Sequence, residues 1–199
     1  MSKLPVMEHF YTIQGEGIYT GHAAYFIRLA GCDVGCHWCD VKESWNADEH
    51  RQYEIDEMVS WVAQSPAPMV VITGGEPLMH PLDELTRAIR ALGKRTHLET
   101  SAAYPISGTW DWVCVSPKKF KAPRPEVLLL ANELKVVINH PSDFEFAQHH
   151  AQGVNPQCKL LLQAEWSKES VHLPKIIDFC KTNPQFTISL QTHKYLNIP

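Results

Sequence analysis

The sequence predicts an α/β fold, a parallel sheet covered by helices and curled into an open, partial β/α barrel of reduced size. Three observations carry that expectation. Short apolar runs recur along the chain, as in strands buried on both faces. They alternate with stretches whose apolar residues return at helical spacing, the order that builds a parallel sheet. The 199 residues also fall short of the roughly 250 that a closed eightfold barrel takes.

The elements follow in order. Ala24–Leu29 (AYFIRL) reads as the first long strand and runs into a turn at Gly31–Cys32. Tyr53–Gln64 places Ile55, Met58, Val59 and Val62 at helical spacing. Met69–Ile72 is a strand that ends at Thr73-Gly74-Gly75. Pro81–Leu92 is a helix with Leu82, Leu85, Ile89 and Leu92 on one side. Further strands are expected at Thr96–Glu99, Trp112–Val115, Glu133–Ile138, Lys159–Gln163 and Phe186–Leu190, and helices at Ser142–Gln152 and Ser170–Lys181. Pro174 marks the first turn of the last helix or a kink in it. Pro66–Pro68 and Pro123–Pro125 read as short loops. No repeat or linker interrupts the chain, so residues 1–199 are expected to form a single domain.

Composition narrows the function classes. Apolar residues make up 44% and charged residues 20%, which supplies a core and argues against disorder or coiled coil. A net charge of −4 lacks the broad basic face of a nucleic-acid binder. The densest apolar runs, Met69–Ile72 and Val127–Ala131, are far too short to cross a membrane. The N-terminal segment has no signal-peptide pattern, so the chain is expected in the cytoplasm, where thiols stay reduced. Six cysteines then point to metal or redox chemistry rather than disulfides.

Cys32, Cys36 and Cys39 form C-x3-C-x2-C on one loop (GCDVGCHWCD). Three thiolates so spaced can converge on one metal centre. Structural zinc wants a fourth ligand, for which His37, Cys114, Cys158 or Cys180 would have to serve. An iron–sulfur cubane held by three thiolates leaves one iron open to a substrate or cofactor, and the spacing favours that reading. Downstream, at the end of the next strand, stands Thr73-Gly74-Gly75-Glu76-Pro77, where two glycines let the backbone approach a ligand closely. With Trp38 just before the last cysteine, the two motifs resemble the radical S-adenosylmethionine (SAM) superfamily.

A narrower resemblance spans the chain. Ile13-Gln14-Gly15-Glu16-Gly17, Arg28, Ser116-Pro117-Lys118, Leu162-Gln163 and Gln191-Thr192-His193-Lys194 are similar to the 7-carboxy-7-deazaguanine synthase family. The resemblance implies a radical SAM-type fold and a ring contraction of 6-carboxy-5,6,7,8-tetrahydropterin with loss of ammonia, on the way to queuosine and other deazapurines. It implies a 4Fe-4S cluster on Cys32, Cys36 and Cys39. It places S-adenosylmethionine against Trp38, Cys39, Asp40, Gly75, Ser116, Pro117, Lys118 and the segment Gln163, Ala164, Glu165 and Trp166. The pterin would lie against Ile13, Gln14, Gly15, Glu16, Arg28, Thr73, Glu99, His193 and Pro199. A guanidinium fork at Arg28 suits the pterin carboxylate. Glu16, Glu99 or a carboxylate at Pro199 suit its N–H groups. No side chain is assigned as catalytic, since the cofactor carries the chemistry. A homodimer and a flavodoxin-like electron donor are further implied.

Two departures stand out. The family usually has Thr or Ser after Cys-Asp, associated with a magnesium ion, whereas Val41 follows Asp40 here. Mg²⁺ is then expected either to rest on substrate, Asp40 and water or to be less needed. Ala164 stands where relatives often carry proline. Competing expectations are an activase that makes a glycyl radical on a partner protein, and a zinc-stabilised interaction module.

Overall fold

The computed structural model describes residues 2–199. Nine strands form one sheet in the order β3-β1-β2-β4-β5-β6-β7-β8-β9. They are β1 (Lys3–Ile13), β2 (Ala23–Leu29), β3 (Gln52–Glu54), β4 (Met69–Gly74), β5 (Arg95–Thr100), β6 (Trp112–Val115), β7 (Glu133–Ile138), β8 (Lys159–Ala164) and β9 (Phe186–Ser189). From β2 through β9 every neighbouring pair is parallel. β1 runs antiparallel to both β2 and β3, so the sheet is mixed at one edge and not closed. Six helices accompany it: α1 (Ile55–Ala63), α2 (Asp83–Ala91), α3 (Pro125–Leu128), α4 (Asp143–Ala151), α5 (Glu169–Thr182) and α6 (Thr192–Leu196).

The parallel strands appear where the apolar runs place them, and four elements appear that the sequence does not announce. β1 hides because a register shift between Val6 and Glu8 breaks the alternation by which a half-exposed strand is recognised. β3 has three residues. α3 grows out of the expected Pro123–Pro125 loop, with Pro125 at the first helical position, where its missing N–H costs nothing. α6 is five residues long, too short for periodicity to register. α5 begins at Glu169 and runs through Pro174, which therefore lies inside the helix beyond its first turn.

Alternation along the strands divides the molecule. One face packs Ile27, Ile72, Leu98, Leu134, Val136 and Leu162 under the helices, against Met58, Leu85, Ile89, Ala147 and Ile176. Each such fully buried side chain contributes about 1.5–3 kcal/mol. The opposite face turns inward. There Ala24, Met69 and Val71 pack with Tyr19 and Phe26. Towards the C-terminal ends of the parallel strands that inner face changes from apolar to polar and charged, and this is where such sheets place their ligands.

Candidate active site

A cavity of about 290 Å³ opens at that end of the sheet. Arg28, Thr73, Glu99 and Gln163 face it from β2, β4, β5 and β8, and Ile13 to Glu16 enter it from the segment after β1. Trp38, Asp40 and the three cysteines of the GCDVGCHWC loop line it, as do Gly75, Ser116, Lys118, Ala164, Glu165 and Trp166. His193 and Pro199 reach it from α6 and the residues beyond. Val41 also borders it. Of the residues expected to hold the cluster, the cofactor or the pterin, Pro117 is not on the cavity wall. It is buried between Ser116 and Lys118.

The cysteine loop is held by backbone geometry. Gly31 leaves β2 with φ +104°, a conformation L side chains rarely adopt. Its N–H donates to Ser44 (2.7 Å), and that of Cys32 donates to Trp45 (3.0 Å). The Thr73–Pro77 turn is stitched to the same stretch: Gly75 N–H donates to Leu29 (3.1 Å) and Glu76 N–H to Gly31 (2.8 Å). A Cβ on Gly75 would stand 2.3 Å from the Gly31 carbonyl oxygen, so only glycine lets the two motifs meet. Glu76 is 1% exposed and its hydrogen bonds are structural. Its carboxylate accepts from Leu78 N–H (3.0 Å), Thr100 Oγ1 (2.6 Å), Ser101 N–H (2.8 Å) and Ser101 Oγ (2.5 Å), latching the turn after β4 to the end of β5.

Burial pushes the Cys36 thiol up to about 11 and raises that of Cys32. Both therefore stay protonated until a metal displaces the proton. Among the described residues no three Cys, His, Asp or Glu side chains close tightly enough around one point to hold a single ion. His37 is exposed and lies edge-on to Phe120, while Cys114, Cys158 and Cys180 are off the cavity. Three thiols bordering a cavity without a fourth protein ligand fit a four-iron cluster with one open corner, and do not fit the zinc module. Magnesium fits poorly. The Asp40 carboxylate is bound by Lys194 at 2.9 Å. The Val41 carbonyl, the only oxygen that residue has, accepts from Ser44 Oγ (2.7 Å) and Ser44 N–H (3.1 Å).

The substrate end is built from charges. Lys135 on β7, 4% exposed, donates to Glu16 Oε2 (2.6 Å) and Glu99 Oε2 (3.0 Å). Gln191 Nε2 donates to the other oxygen of Glu16 (2.9 Å). Burial alone would raise the Glu16 carboxyl, but the Lys135 ammonium and these hydrogen bonds bring it down to about 2. Arg28 Nε is engaged by Glu8 across the β1–β2 ladder at 2.6 Å, so a ligand carboxylate would meet its Nη edge. The Gly15 carbonyl accepts from Thr192 N–H and Oγ1, both at 2.9 Å. His193 is packed so closely on Gly15 that a Cβ there would lie 2.3 Å from its Nδ1. Burial, ahead of the opposing pull of Glu16, lowers the His193 pKa.

Lys135 is a site residue the motifs do not mark, and the place of Gln191 beside Glu16 is not read from the motif that contains it. A signal exists: the polar positions of the otherwise apolar strands, Arg28, Thr73, Glu99, Lys135 and Gln163, all border one cavity.

Known proteins are similar to this chain in sequence and fold. A family model described as the radical SAM superfamily matches residues 26–111. A 7-carboxy-7-deazaguanine synthase of Flavobacterium psychrophilum is 55% identical, over 98% of this chain and 93% of its own. One from Synechocystis is 46% identical with the same coverage. The crystal structure of QueE from Escherichia coli superposes with a TM-score of 0.86 at 30% identity, covering 96% of this chain and 95% of that one. At these identities over nearly its whole length, the chain belongs to the 7-carboxy-7-deazaguanine synthase family of radical SAM enzymes.

Proposed function

We propose that this enzyme contracts the ring of 6-carboxy-5,6,7,8-tetrahydropterin to 7-carboxy-7-deazaguanine, a carbon–nitrogen lyase reaction that releases ammonia. The atoms balance without an external oxidant. One observation carries the reading: the thiols of the cysteine loop and an arginine–glutamate set suited to a pterin acid border the same cavity. Bound there, the 4Fe-4S cluster and S-adenosylmethionine supply the adenosyl radical that starts the rearrangement. Cys32, Cys36 and Cys39 hold the cluster. The backbone at Gly75, with Ser116, Lys118 and Gln163 to Trp166, borders the space for the cofactor. The Nη edge of Arg28 takes the substrate carboxylate, and Glu16 and Glu99 accept from its ring and amino N–H groups.

The test is an anaerobic assay with reconstituted cluster, S-adenosylmethionine, a reductant and the pterin acid, following deazapurine and 5′-deoxyadenosine together. Both should rise in wild type with no partner protein present. Cofactor cleavage without deazapurine would reject this substrate, and a need for a second protein would favour the activase reading.

Magnesium is expected to matter little, because Lys194 occupies the Asp40 carboxylate and Val41 brings no hydroxyl. Turnover with a chelator should stay within about twofold of that with Mg²⁺, since an ion demanding near-octahedral oxygen coordination has no set of donors here. A chelator that abolishes turnover of cluster-replete enzyme would show that substrate and water suffice to hold the ion.

A further inference from the structure

The reading above leaves Lys135 without a role, although it is the most deeply buried cation of the cavity. It belongs to β7, on the inward face of an apolar strand. An ammonium removed from water costs several kcal/mol unless its partners compensate. Here they do, through hydrogen bonds to Glu16, from the segment after β1, and Glu99, from β5. Other charged or titratable groups also face it. Cys114 lies on β6 and Glu133 two residues earlier on its own strand, and the Cys114 thiol donates to Glu133 at 3.4 Å. Glu133 also accepts from Ile18 N–H (3.1 Å) and Trp112 Nε1 (3.3 Å). Lys118, after β6, and His193, on α6, border the same cavity.

Burial alone would lower the Lys135 pKa, but Cys114 and the carboxylates of Glu16, Glu99 and Glu133 raise it well above its usual value, so the side chain neither gives nor takes a proton near neutrality. A fixed cation between two carboxylates has one chemical effect: both remain anions and both remain acceptors. Without it, two carboxylates crowded into a water-poor cavity share a proton, and one of them turns into a donor.

Resting on the pterin reading, we infer that Lys135 is a specificity-positioning residue. It holds Glu16 and Glu99 as a pair of acceptors matched to the N–H edge of a 2-amino-4-oxo heterocycle, and so sets the enzyme against 2,4-dioxo analogues that offer a carbonyl in place of the amino group. A carbonyl facing a carboxylate leaves two acceptors opposed and unpaired, which a buried site rejects strongly.

The experiment compares wild type with Lys135→Met, the milder Lys135→Gln and the charge-conserving Lys135→Arg, all cluster-replete. It measures KM and kcat for the pterin acid between about pH 6 and 9, and inhibition by the 2,4-dioxo pterin acid. Wild-type KM should be flat over this range, because the Lys135 ammonium bonds both side chains and holds them as acceptors. In Lys135→Met and Lys135→Gln, KM should rise about tenfold or more at the acid end and fall as pH rises through the pair's upper pKa. The kcat should change less than KM, and the 2,4-dioxo acid should become a better inhibitor. Lys135→Arg should restore the flat profile. A merely structural lysine would lower the yield or kcat at every pH without creating a new limb in KM, and that result in either neutral variant overturns the inference. Wild type that does not turn over the pterin acid at all would overturn the underlying reading, and the inference with it.

Discussion

Glu76→Ala is expected to destabilise the protein by about 3–5 kcal/mol, the range for stripping a buried charged group from donors that then have no acceptor. The donors are Thr100 and Ser101 at the end of β5 and the amide of Leu78, all turned towards one carboxylate that solvent does not reach. Thr100 also carries the next link, since its Oγ1 accepts from Ala102 N–H at 2.9 Å while Ala102 sits at φ 63°. That left-handed backbone persists because its surroundings hold it. Removing the carboxylate therefore releases the turn after β4 and the bend after β5 together, and Thr73, Gly75 and Ser101 border the cavity. Urea denaturation should show a lowered midpoint, and iron incorporation should fall in proportion to the unfolded fraction. A loss below about 1 kcal/mol would mean that water replaces the carboxylate and that the latch is not structural. Glu76→Gln, which keeps one carbonyl oxygen but turns an amide donor towards other donors, should lie between wild type and alanine.

Cys36→Ala is expected to erase activity while leaving the fold intact. Cys36 packs with Val34 and Ala103 in a small cluster of its own, separate from the large core between sheet and helices, so losing one sulfur should cost no more than about 1 kcal/mol. Activity has no such reserve. Two thiolates cannot hold the cluster, and without it S-adenosylmethionine stays whole. After reconstitution the variant should be colourless, with iron near background, no 5′-deoxyadenosine and a near-normal unfolding transition. Cys158→Ala supplies the contrast: that thiol is off the cavity, so the variant should keep iron and turnover. Cleavage activity surviving in Cys36→Ala would remove Cys36 from the cluster ligands.

The sequence made some parts of this molecule legible and concealed others for physical reasons. Central parallel strands such as β4 and β7 announce themselves because both their faces are covered, so their apolar runs are nearly unbroken. β1 does not, because its outer half is wetted and its register shifts at Val6/Glu8. Motifs that depend on backbone freedom or on sulfur spacing, such as Thr73–Pro77 and the cysteine loop, are visible because few other residues could do their work. Lys135 stayed hidden, since the two charged letters in ELKVVI tell nothing of direction until the sheet is built. The engagement of Asp40 by Lys194 joins segments far apart in the chain, and no local pattern encodes it.

Glu16 and Gln191 meet across 175 positions, with Gly15 and Thr192 beside them. Contacts of such long separation bear the full entropy of loop closure and form late in folding. A ribosome makes Glu16 long before Gln191. Until the later segment emerges the first strand pair waits without that partner, and the pterin chamber has no floor.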